Sequence, residues 1–442
     1  MKSIKTKLPD SGQEIIDLSR KYSFFTWMPQ KYANPLAIKK TEGHYLYDYD
    51  GNKYFDLSSC MVFMNIGHGN KKVAAAITEQ LGRIEAVCPF DTTDVRAALA
   101  RKIVEDIAPD NMGKVMFTLA GADANEYAIR IAKKYTGRTK VMAQYYSYHG
   151  STYGATNLNG ENDRVSPEPP IAGFLHFFGP NWRTSGLDFK DEDEACAFYL
   201  RILREQIERE DPRTIAAIFL ETITGTNGAI IPPRGYHKGV REICDEYGIL
   251  MVCDEVMMGF GRTGKWFAIE HFDVKPDIIT FAKGVTSGYI PLGGVLVSKE
   301  IAEFYEDAEF PCGLTYNSHP VAMAAALATL EVLEEEKIIE NSAEMGEYLL
   351  NGLKELQKKH PSIEEVRGKG LMCAFSTLPM FAGEEDNDKL VEMLLEEGYS
   401  TFTGHYGAII VAPPLTVTKE EIDGILNAID KVLKPFDERV PK

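Results

Sequence analysis

The sequence alternates between short apolar runs and longer stretches in which apolar residues recur with the period of a helix. Between residues 114 and 298, six apolar runs predict strands: KVMFTL, TKVMAQ, IAAIFLE, ILMVCDE, IITFA and GGVLVS. Helical stretches precede and separate these runs, at residues 74–81, 95–107, 194–208 and 236–247. Short, continuously apolar strands joined by helical crossovers are typical of a mostly parallel sheet covered on both faces. The pattern therefore predicts an α/β fold.

The segments on either side of this alternation differ from it. The stretch HYLYDYDGNKYFDLSS, residues 44–59, places Asp50-Gly51 between two aromatic runs, which is a strong signal for a hairpin. The alternation begins near residue 71, and the long apolar helix in HPVAMAAALATLEVLEEE leads out of it. From about residue 338 the chain has helices and strands of its own. We therefore expect a large central domain with smaller elements at both ends.

Composition and charge narrow the class of protein. The chain has 442 residues, 44% of them apolar, which is ample for the core of a large globular protein. Its 48 Lys and Arg residues face 65 Asp and Glu residues, so the net charge is −17, and no long basic run occurs. Such a chain lacks the cationic footprint that nucleic acids require, and we expect no nucleic-acid partner.

The spacing of cysteines and histidines bears on metal binding, and the distribution of apolar residues bears on the cellular location of the protein. The seven cysteines form no CxxC pair and the histidines no HExxH motif, so we expect reduced thiols and no metal site. The first residues, MKSIKTKLPDSGQEI, lack the apolar core of a signal peptide, and no apolar stretch approaches the length of a membrane span. We expect a cytoplasmic protein without a membrane partner.

A lysine stands where one predicted strand ends. In IITFAKG, residues 278–284, Lys283 and Gly284 follow the apolar run directly. Open α/β sheets bind ligands in the crevice outside the carboxyl ends of their strands, so Lys283 is a candidate nucleophile. Considered alone, a solvated lysine at a strand end is the more common case.

Four further residues stand at strand ends or helix starts. In FTLAGADANEYAIRIAKKY, Gly121 permits a tight turn, and the free N–H groups of the helix start can hold an anion such as a phosphate. Tyr148, in YYSYHG, follows another strand and can stack on a flat ring. Glu221 and Asp254 each end an apolar run, and a carboxylate there either caps a helix or faces a cationic partner.

One cofactor requires all of these parts together. Pyridoxal 5′-phosphate needs a phosphate cradle, an aromatic side chain against its ring, a carboxylate for its pyridine nitrogen and a lysine that forms an imine. Its ring withdraws electrons only while the nitrogen is charged. The combination predicts a pyridoxal-phosphate enzyme.

Five stretches, in their order and spacing, resemble the class III (ω-amino acid) aminotransferases of the fold-type I pyridoxal-phosphate enzymes. They are GADANEYAIRIAKKYTGR, YHGST, DEVMMGFGRTG, FAKGVTSGYIPLGG and TYNSHPVAMAAALATLE. The resemblance extends from GNKYFDLSS to PPLTVT. It implies a large, mostly parallel-sheet domain of residues 71–330 and a small α+β domain built from residues 1–70 and 331–442. It also implies a homodimer with shared active sites.

The resemblance assigns roles to several residues. It implies that Lys283 bonds the cofactor and carries the proton, and that Asp254 is the partner of the pyridine nitrogen. Gly121 and Ala122 would hold the phosphate through backbone N–H groups, and Thr315 would reach the phosphate bound in the neighbouring subunit.

Further roles concern the cofactor ring and the substrate side. The resemblance implies that Tyr148 stacks on one face of the ring and that Val256 packs against the other. His149 would support Tyr148. Glu221 would help to place the substrate side of the cofactor and pair with an arginine when the site is empty.

Some positions depart from the family pattern. Ala122 and Asp123 stand where the family usually has serine and glutamate, so one hydroxyl contact to the phosphate is expected to be lost. The run GAIIVAPPL lacks the arginine that many members carry shortly before PPL to bind an α-carboxylate. Ser151 follows the HG pair where enzymes acting on 4-aminobutyrate often have arginine.

These departures favour a transaminase that takes a short ω-amino acid, with taurine first and β-alanine second, and passes its amino group to pyruvate or 2-oxoglutarate. Without the arginine before PPL, the acid group needs other donors, and Trp27 and Arg164 are candidates. Each has an ordinary alternative, as a packing aromatic and a solvated loop charge.

Other functions stay open. The chain could be a diamine or 4-aminobutyrate aminotransferase, or an aminomutase or racemase on the same scaffold. A non-catalytic binding module is a further alternative, against which the presence of both Lys283 and Asp254 argues.

Overall fold

The computed structural model describes residues 8–160, 170–183, 185–404 and 407–441. In these ranges fourteen strands form three sheets. The strands are β1 Ile38–Glu42, β2 Tyr45–Asp48, β3 Lys53–Asp56, β4 Met112–Thr118, β5 Lys140–Gln144, β6 Phe174–Phe177, β7 Ile215–Glu221, β8 Leu250–Asp254, β9 Ile278–Phe281, β10 Gly293–Ser298, β11 Ile363–Lys369, β12 Met372–Thr377, β13 Tyr399–Ser400 and β14 Ala408–Val411.

Helices surround the sheets. The α-helices of at least six residues are α1 Gly12–Tyr22, α2 Lys71–Arg83, α3 Asp94–Arg101, α4 Gly121–Thr136, α5 Tyr153–Leu158, α6 Glu192–Arg209, α7 Tyr236–Tyr247, α8 Lys299–Asp307, α9 Pro320–Glu335, α10 Ile338–Lys359, α11 Glu384–Glu396 and α12 Lys419–Asp437. Shorter helical turns are Gln30–Tyr32, Ser59–Val62, Pro212–Thr214, Ala268–Phe272, Lys283–Val285 and Pro379–Phe381. The helix predicted at 95–107 is α3 followed by a π-helical turn, Lys102–Ile107.

The large sheet has seven strands in the order β4-β10-β9-β8-β7-β5-β6. Strands β5 to β9 run parallel to one another, whereas β10 is antiparallel to both of its neighbours, β4 and β9. All six predicted strands belong to this sheet, which confirms the α/β class. The sheet is mixed because β10 follows β9 without a helical crossover between them.

The two central strands explain the continuous apolar runs in the sequence. Every residue of β7 and β8 is buried. In β7, Ile218 and Leu220 pack into the core on one face of the sheet, and Ala217 and Phe219 pack into the core on the other. Because both faces are covered, polar residues are confined to the strand ends, which is where the candidate site residues lie.

Two smaller sheets involve the ends of the chain. The predicted hairpin is present: β2 pairs with β3, and Gly51 between them adopts a φ of 89°, which glycine tolerates best. The strand β13 pairs in parallel with β3, so residues 399–400 join the N-terminal sheet β1-β2-β3-β13. Strands β11, β12 and β14 form the third sheet. The domain boundaries near residues 70 and 330 stay predictions.

Among the described residues, every helix is too short or too polar to cross a bilayer.

Candidate active site

Lys283 lies at the carboxyl end of β9, where the chain turns sharply. It is half-buried, begins the turn Lys283–Val285 and has a left-handed φ of 49°. Gly284 follows because a β-carbon there would overlap the Asn65 side chain. Burial lowers the pKa of Lys283 from 10.5 to about 8, although the negative charges of Asp254 and Glu221 act in the opposite direction. Its amine is therefore more often neutral at physiological pH than that of an ordinary lysine.

Asp254 ends β8, the neighbouring strand, and its carboxylate accepts three hydrogen bonds. Oδ1 accepts one from the Val256 backbone N–H at 2.9 Å. Oδ2 accepts one from Asn125 Nδ2 at 2.8 Å and one from His149 Nδ1 at 2.7 Å. The side chain is almost completely buried. A carboxylate held by three donors at the sheet edge is suited to binding a cationic N–H group.

Asn125 and Thr280 belong to this arrangement, and sequence reasoning missed both. Asn125 lies in α4 and Thr280 in β9, and both are fully buried. The Thr280 hydroxyl donates to Asn125 Oδ1 at 2.9 Å. The only signals were a polar residue inside the apolar run IITFA and an asparagine early in a helix, neither of which identifies a partner.

His149 has a different neighbour from the one expected. Its ring bonds to Asp254, and its Nε2 is buried without a hydrogen-bond partner in the described structure. Its backbone N–H donates to Asn159 Oδ1 at 2.6 Å. Instead of supporting Tyr148, the imidazole supports the carboxylate, because the turn after β5 directs it toward the end of β8.

Glu221 ends β7 and stands opposite Asp254 in the parallel register. Its Oε1 accepts the Tyr148 N–H at 2.9 Å and its Oε2 accepts the Gly225 N–H at 2.8 Å. Among the described residues no arginine bonds to Glu221, and each of its oxygens accepts one backbone N–H, so the expected pairing with an arginine stays a prediction. Burial raises the pKa of Glu221 from 4.5 to about 7, with His149 opposing and Asp254 adding to the shift.

Tyr148 is half-buried beside the N-terminal segment. Its hydroxyl is 2.9 Å from Ser151 Oγ, and the ring of Trp27 meets its ring edge to face at 6.2 Å. Trp27 is 60% exposed and has a left-handed φ of 57°. The structure therefore brings Trp27 next to Tyr148, which the sequence placed 121 positions apart.

The helix α4 begins at Gly121 at the same edge of the sheet. No side chain caps this N-terminus, so its first N–H groups are available to an anion. A β-carbon on Gly121 would lie 2.8 Å from both γ-carbons of Val256, so only glycine fits. Ala122 packs against Gly150, and burial raises the pKa of the Asp123 carboxyl in the first turn of the helix.

Two further residues were predicted to take part in the site. Thr315 is exposed, in the segment between α8 and α9. Arg164 lies outside the residues that the structure describes.

Arg262 is a further residue that sequence reasoning missed. Its guanidinium is fully buried and donates to Leu371 O, Pro413 O, Ser59 Oγ and Asn65 Oδ1 at 2.7 to 3.1 Å. Burial lowers its pKa to about 9. Because its acceptors are Ser59 and Asn65 on one side and Leu371 and Pro413 on the other, Arg262 ties the segment after β8 to both terminal parts of the chain.

The comparison with known families is decisive. The family model described as Aminotransferase class-III matches residues 27–433. This chain belongs to the class-III aminotransferases. Members of this class are pyridoxal-phosphate enzymes, and the uncapped helix at Gly121, the carboxylate of Asp254 and the low-pKa amine of Lys283 fit that cofactor.

Relatives of this class-III aminotransferase differ in substrate. The solved structure of taurine:2-oxoglutarate aminotransferase from Bifidobacterium kashiwanohense, in complex with PLP and glutamate, has 40% sequence identity and a TM-score of 0.94. The match covers 99% of this chain and 100% of that one. Putrescine–pyruvate aminotransferase of Pseudomonas aeruginosa is 35% identical over 411 residues, 90% of each chain.

One relative catalyses a different reaction type. The alanine/serine racemase of Pyrococcus horikoshii is 35% identical over 413 residues, 90% of this chain and 86% of the racemase. Membership of the class therefore leaves the amino donor of this aminotransferase to be argued from its own residues.

Proposed function

We propose that this class-III aminotransferase binds pyridoxal 5′-phosphate at the carboxyl edge of its large sheet and transfers the amino group of a short ω-amino acid to a 2-oxo acid. The two half-reactions share one site in a ping-pong sequence. One observation carries the proposal: Lys283, Asp254 and the uncapped start of α4 lie at the ends of neighbouring elements at one sheet edge. The cofactor, when bound, supplies an electron sink for the carbon that loses its proton.

Individual residues would hold the cofactor. The N–H groups of Gly121 and Ala122 would bind the phosphate, since the helix start favours anions. Asp254 would bind the pyridine N–H and keep the nitrogen charged. Tyr148 and Val256 would hold the two faces of the ring, and Val256 already packs against Gly121.

Lys283 would move the proton. Its Nζ would take the proton from the substrate carbon that bears the amine and would deliver it to the carbon of the cofactor that accepts the amino group. A base is most effective when its pKa is close to the working pH, and a pKa of about 8 meets this condition.

Taurine is the first-choice donor and β-alanine the second. The similarity to a taurine aminotransferase supports this order. The buried Arg262 already donates to four acceptors, and the half-buried Arg367 already pairs with Glu365, Ser376 and Gly228. An acidic substrate therefore requires another donor, and we assign that role to Arg164, with the Trp27 indole beside Tyr148.

Two alternatives have specific support. A diamine donor is supported by the putrescine relative, and an isomerase reaction by the racemase relative. A diamine would make no use of Arg164, and an isomerase would consume no 2-oxo acid. The kinetic assay described below also distinguishes pyruvate from 2-oxoglutarate as the acceptor.

We also propose that the enzyme is a homodimer whose two subunits share their active sites. Thr315 is exposed in this chain, and its hydroxyl would bind the phosphate held by a second copy. A site completed in this way functions only in the assembled dimer.

Steady-state kinetics of the parent enzyme, Arg164→Ala and Trp27→Phe test the function. The donors are taurine, β-alanine, 4-aminobutyrate and putrescine, each with pyruvate or 2-oxoglutarate. The matched control is Arg213→Ala, since Arg213 is 87% exposed at the amino end of β7, at the opposite edge of the sheet. We expect Arg164→Ala to raise KM for the acidic donors and the 2-oxo acid together, because both occupy one pocket. Equal parent activity on putrescine and taurine, or an Arg164→Ala variant indistinguishable from Arg213→Ala, would contradict the proposal.

A further inference from the structure

We infer that Asn125 and Thr280 act as a positioning pair that fixes the Asp254 carboxylate relative to the start of α4, and thereby the distance between phosphate site and pyridine partner. The inference rests on the proposed function, in which Asp254 binds the pyridine N–H. Neither residue would touch the substrate.

The side-chain amide of Asn125 has a hydrogen-bond partner for each of its polar groups. Asn125 Nδ2 donates to Asp254 Oδ2 at 2.8 Å and to the His149 carbonyl oxygen at 2.8 Å. Asn125 Oδ1 accepts the Thr280 hydroxyl at 2.9 Å. Both side chains have 0% exposure, so no bulk water competes for these bonds. Every hydrogen-bonding end of the amide is therefore directed to a named partner.

The orientation of the amide follows from its partners. Two acceptors, Asp254 Oδ2 and the His149 carbonyl, face the NH₂ end of Asn125, so turning the amide over would set oxygen against oxygen. The Thr280 hydroxyl satisfies the other end. Without that hydroxyl, the amide oxygen would be buried and unbonded, and the side chain would lose its anchor to β9.

The pair connects two elements that must keep a fixed distance. Asn125 lies in the second turn of α4, whose first turn begins at Gly121. Thr280 lies directly opposite Asp254 in the parallel ladder between β8 and β9. The helix start and the carboxylate are thus joined through one buried amide. A ligand that binds both ends at once, as the cofactor does, depends on this separation.

The same contacts select one carboxylate oxygen for the ligand. Oδ2 of Asp254 already accepts from Asn125 and His149, which occupies both of its lone-pair directions. Oδ1 accepts only from Val256 N in the described structure. The pyridine N–H would therefore bind Oδ1.

Loss of the pair has a spectroscopic consequence. Without the Asn125 donor, the Asp254 carboxylate is no longer held in line with the pyridine N–H, so it stabilises the protonated nitrogen less and less positive charge stays on the ring. The positive charge of the pyridine ring repels the proton on the nitrogen that would join Lys283 to the cofactor, and so lowers the pKa of that nitrogen. When the ring is less positive, this pKa rises, and the pH midpoint of the visible absorbance rises with it.

The experiment uses the holoenzyme and four variants. Asn125→Ala removes the amide, Thr280→Val removes only the hydroxyl, and Thr280→Ser retains it. Thr329→Val is the matched control, because the buried Thr329 hydroxyl donates only to Ala325 O of its own helix. The readouts are the pH midpoint of the visible absorbance of the bound cofactor, kcat and KM with the best donor, and the melting temperature of the cofactor-free protein.

We expect Asn125→Ala and Thr280→Val to raise the midpoint by about half a pH unit or more and to lower kcat about tenfold, with KM within about twofold of the parent. Thr280→Ser and Thr329→Val should keep the parent midpoint. A midpoint unchanged in both test variants, with cofactor bound, would overturn the positioning role and leave the proposed function intact. A parent protein that acquires no cofactor absorbance would overturn both.

Discussion

Gly121 and Val256 lie so close that a single added carbon would bring them into collision. A β-carbon on residue 121 would lie 2.8 Å from Val256 Cγ1 and from Cγ2. Gly121→Ala should therefore displace the start of α4 and weaken pyridoxal-phosphate binding about tenfold or more, since overpacking a tight contact costs about 1–3 kcal/mol. Equilibrium titration of the cofactor-free protein with pyridoxal phosphate measures the loss.

A second substitution at Val256 should restore part of the cofactor binding that Gly121→Ala loses. Val256→Ala removes both γ-carbons, so the double variant Gly121→Ala, Val256→Ala should bind the cofactor more tightly than Gly121→Ala alone. The single variant Val256→Ala is the control for the lost ring contact. Strictly additive effects of the two substitutions would show that the contact is not the cause.

The pKa of Lys283 predicts a pH dependence of cofactor capture. With a pKa of about 8, about 10% of the amine is neutral at pH 7, against about 0.03% for a lysine with the ordinary value of 10.5. The rate at which cofactor-free protein bonds pyridoxal phosphate should rise tenfold per pH unit below about 8 and level off above it. Stopped-flow absorbance measures this rate, with Lys283→Ala as the control. A rate that still rises steeply at pH 10 would contradict the lowered pKa.

Glu221 predicts a pH dependence of stability. Its pKa is about 7 in the folded protein against an ordinary 4.5, so the folded state binds more protons between these values. The free energy of unfolding should therefore fall as the pH rises through this interval, by up to about 3 kcal/mol. In Glu221→Gln this contribution is absent.

Urea unfolding of the cofactor-free proteins at pH 5.5 and 7.5 tests this difference. Glu255, whose pKa burial also raises to about 7, is present in both proteins, so its contribution cancels. If the parent and Glu221→Gln lose the same stability between the two pH values, the assignment to Glu221 is wrong.

Much of the fold was accessible from the sequence because local signals and burial agree. The buried strands β7 and β8 read as continuous apolar runs, and the turn at Gly51 has the residue that its φ requires. The strand β6 was missed: it has four residues, one of them His176, and three of the four are only half-buried. The antiparallel direction of β10 could not be predicted either, because an apolar run does not indicate whether its strand is parallel or antiparallel to its neighbours.

The site was accessible where a residue ends a strand or begins a helix. Lys283, Asp254 and Glu221 follow apolar runs and were identified in this way. Asn125 was not, because its partners Asp254 and Thr280 lie 129 and 155 positions away, and no local pattern encodes such a bond. The bond of the His149 ring to Asp254 was hidden for the same reason, since the two residues lie 105 positions apart and the family resemblance implied a supporting role toward Tyr148.

Assembly provides another prediction. The protein should sediment as a homodimer, and Thr315→Ala should weaken cofactor binding without changing that state, because only a hydroxyl contact to the neighbouring phosphate is removed. Sedimentation velocity and cofactor titration on the same samples measure both properties. A monomer that is fully active at the assay concentration would contradict the shared site.

The central claim is that this aminotransferase takes its amino group from a short ω-amino acid and stores it on a cofactor bound through Lys283. The most direct test mixes the holoenzyme with taurine in the absence of any 2-oxo acid and follows the visible absorbance of the bound cofactor. We predict that the absorbance is lost in one turnover per site, that one equivalent of aldehyde appears, and that a 2-oxo acid restores the absorbance. Absorbance unchanged by taurine and by β-alanine, or continued turnover without a 2-oxo acid, would contradict the account.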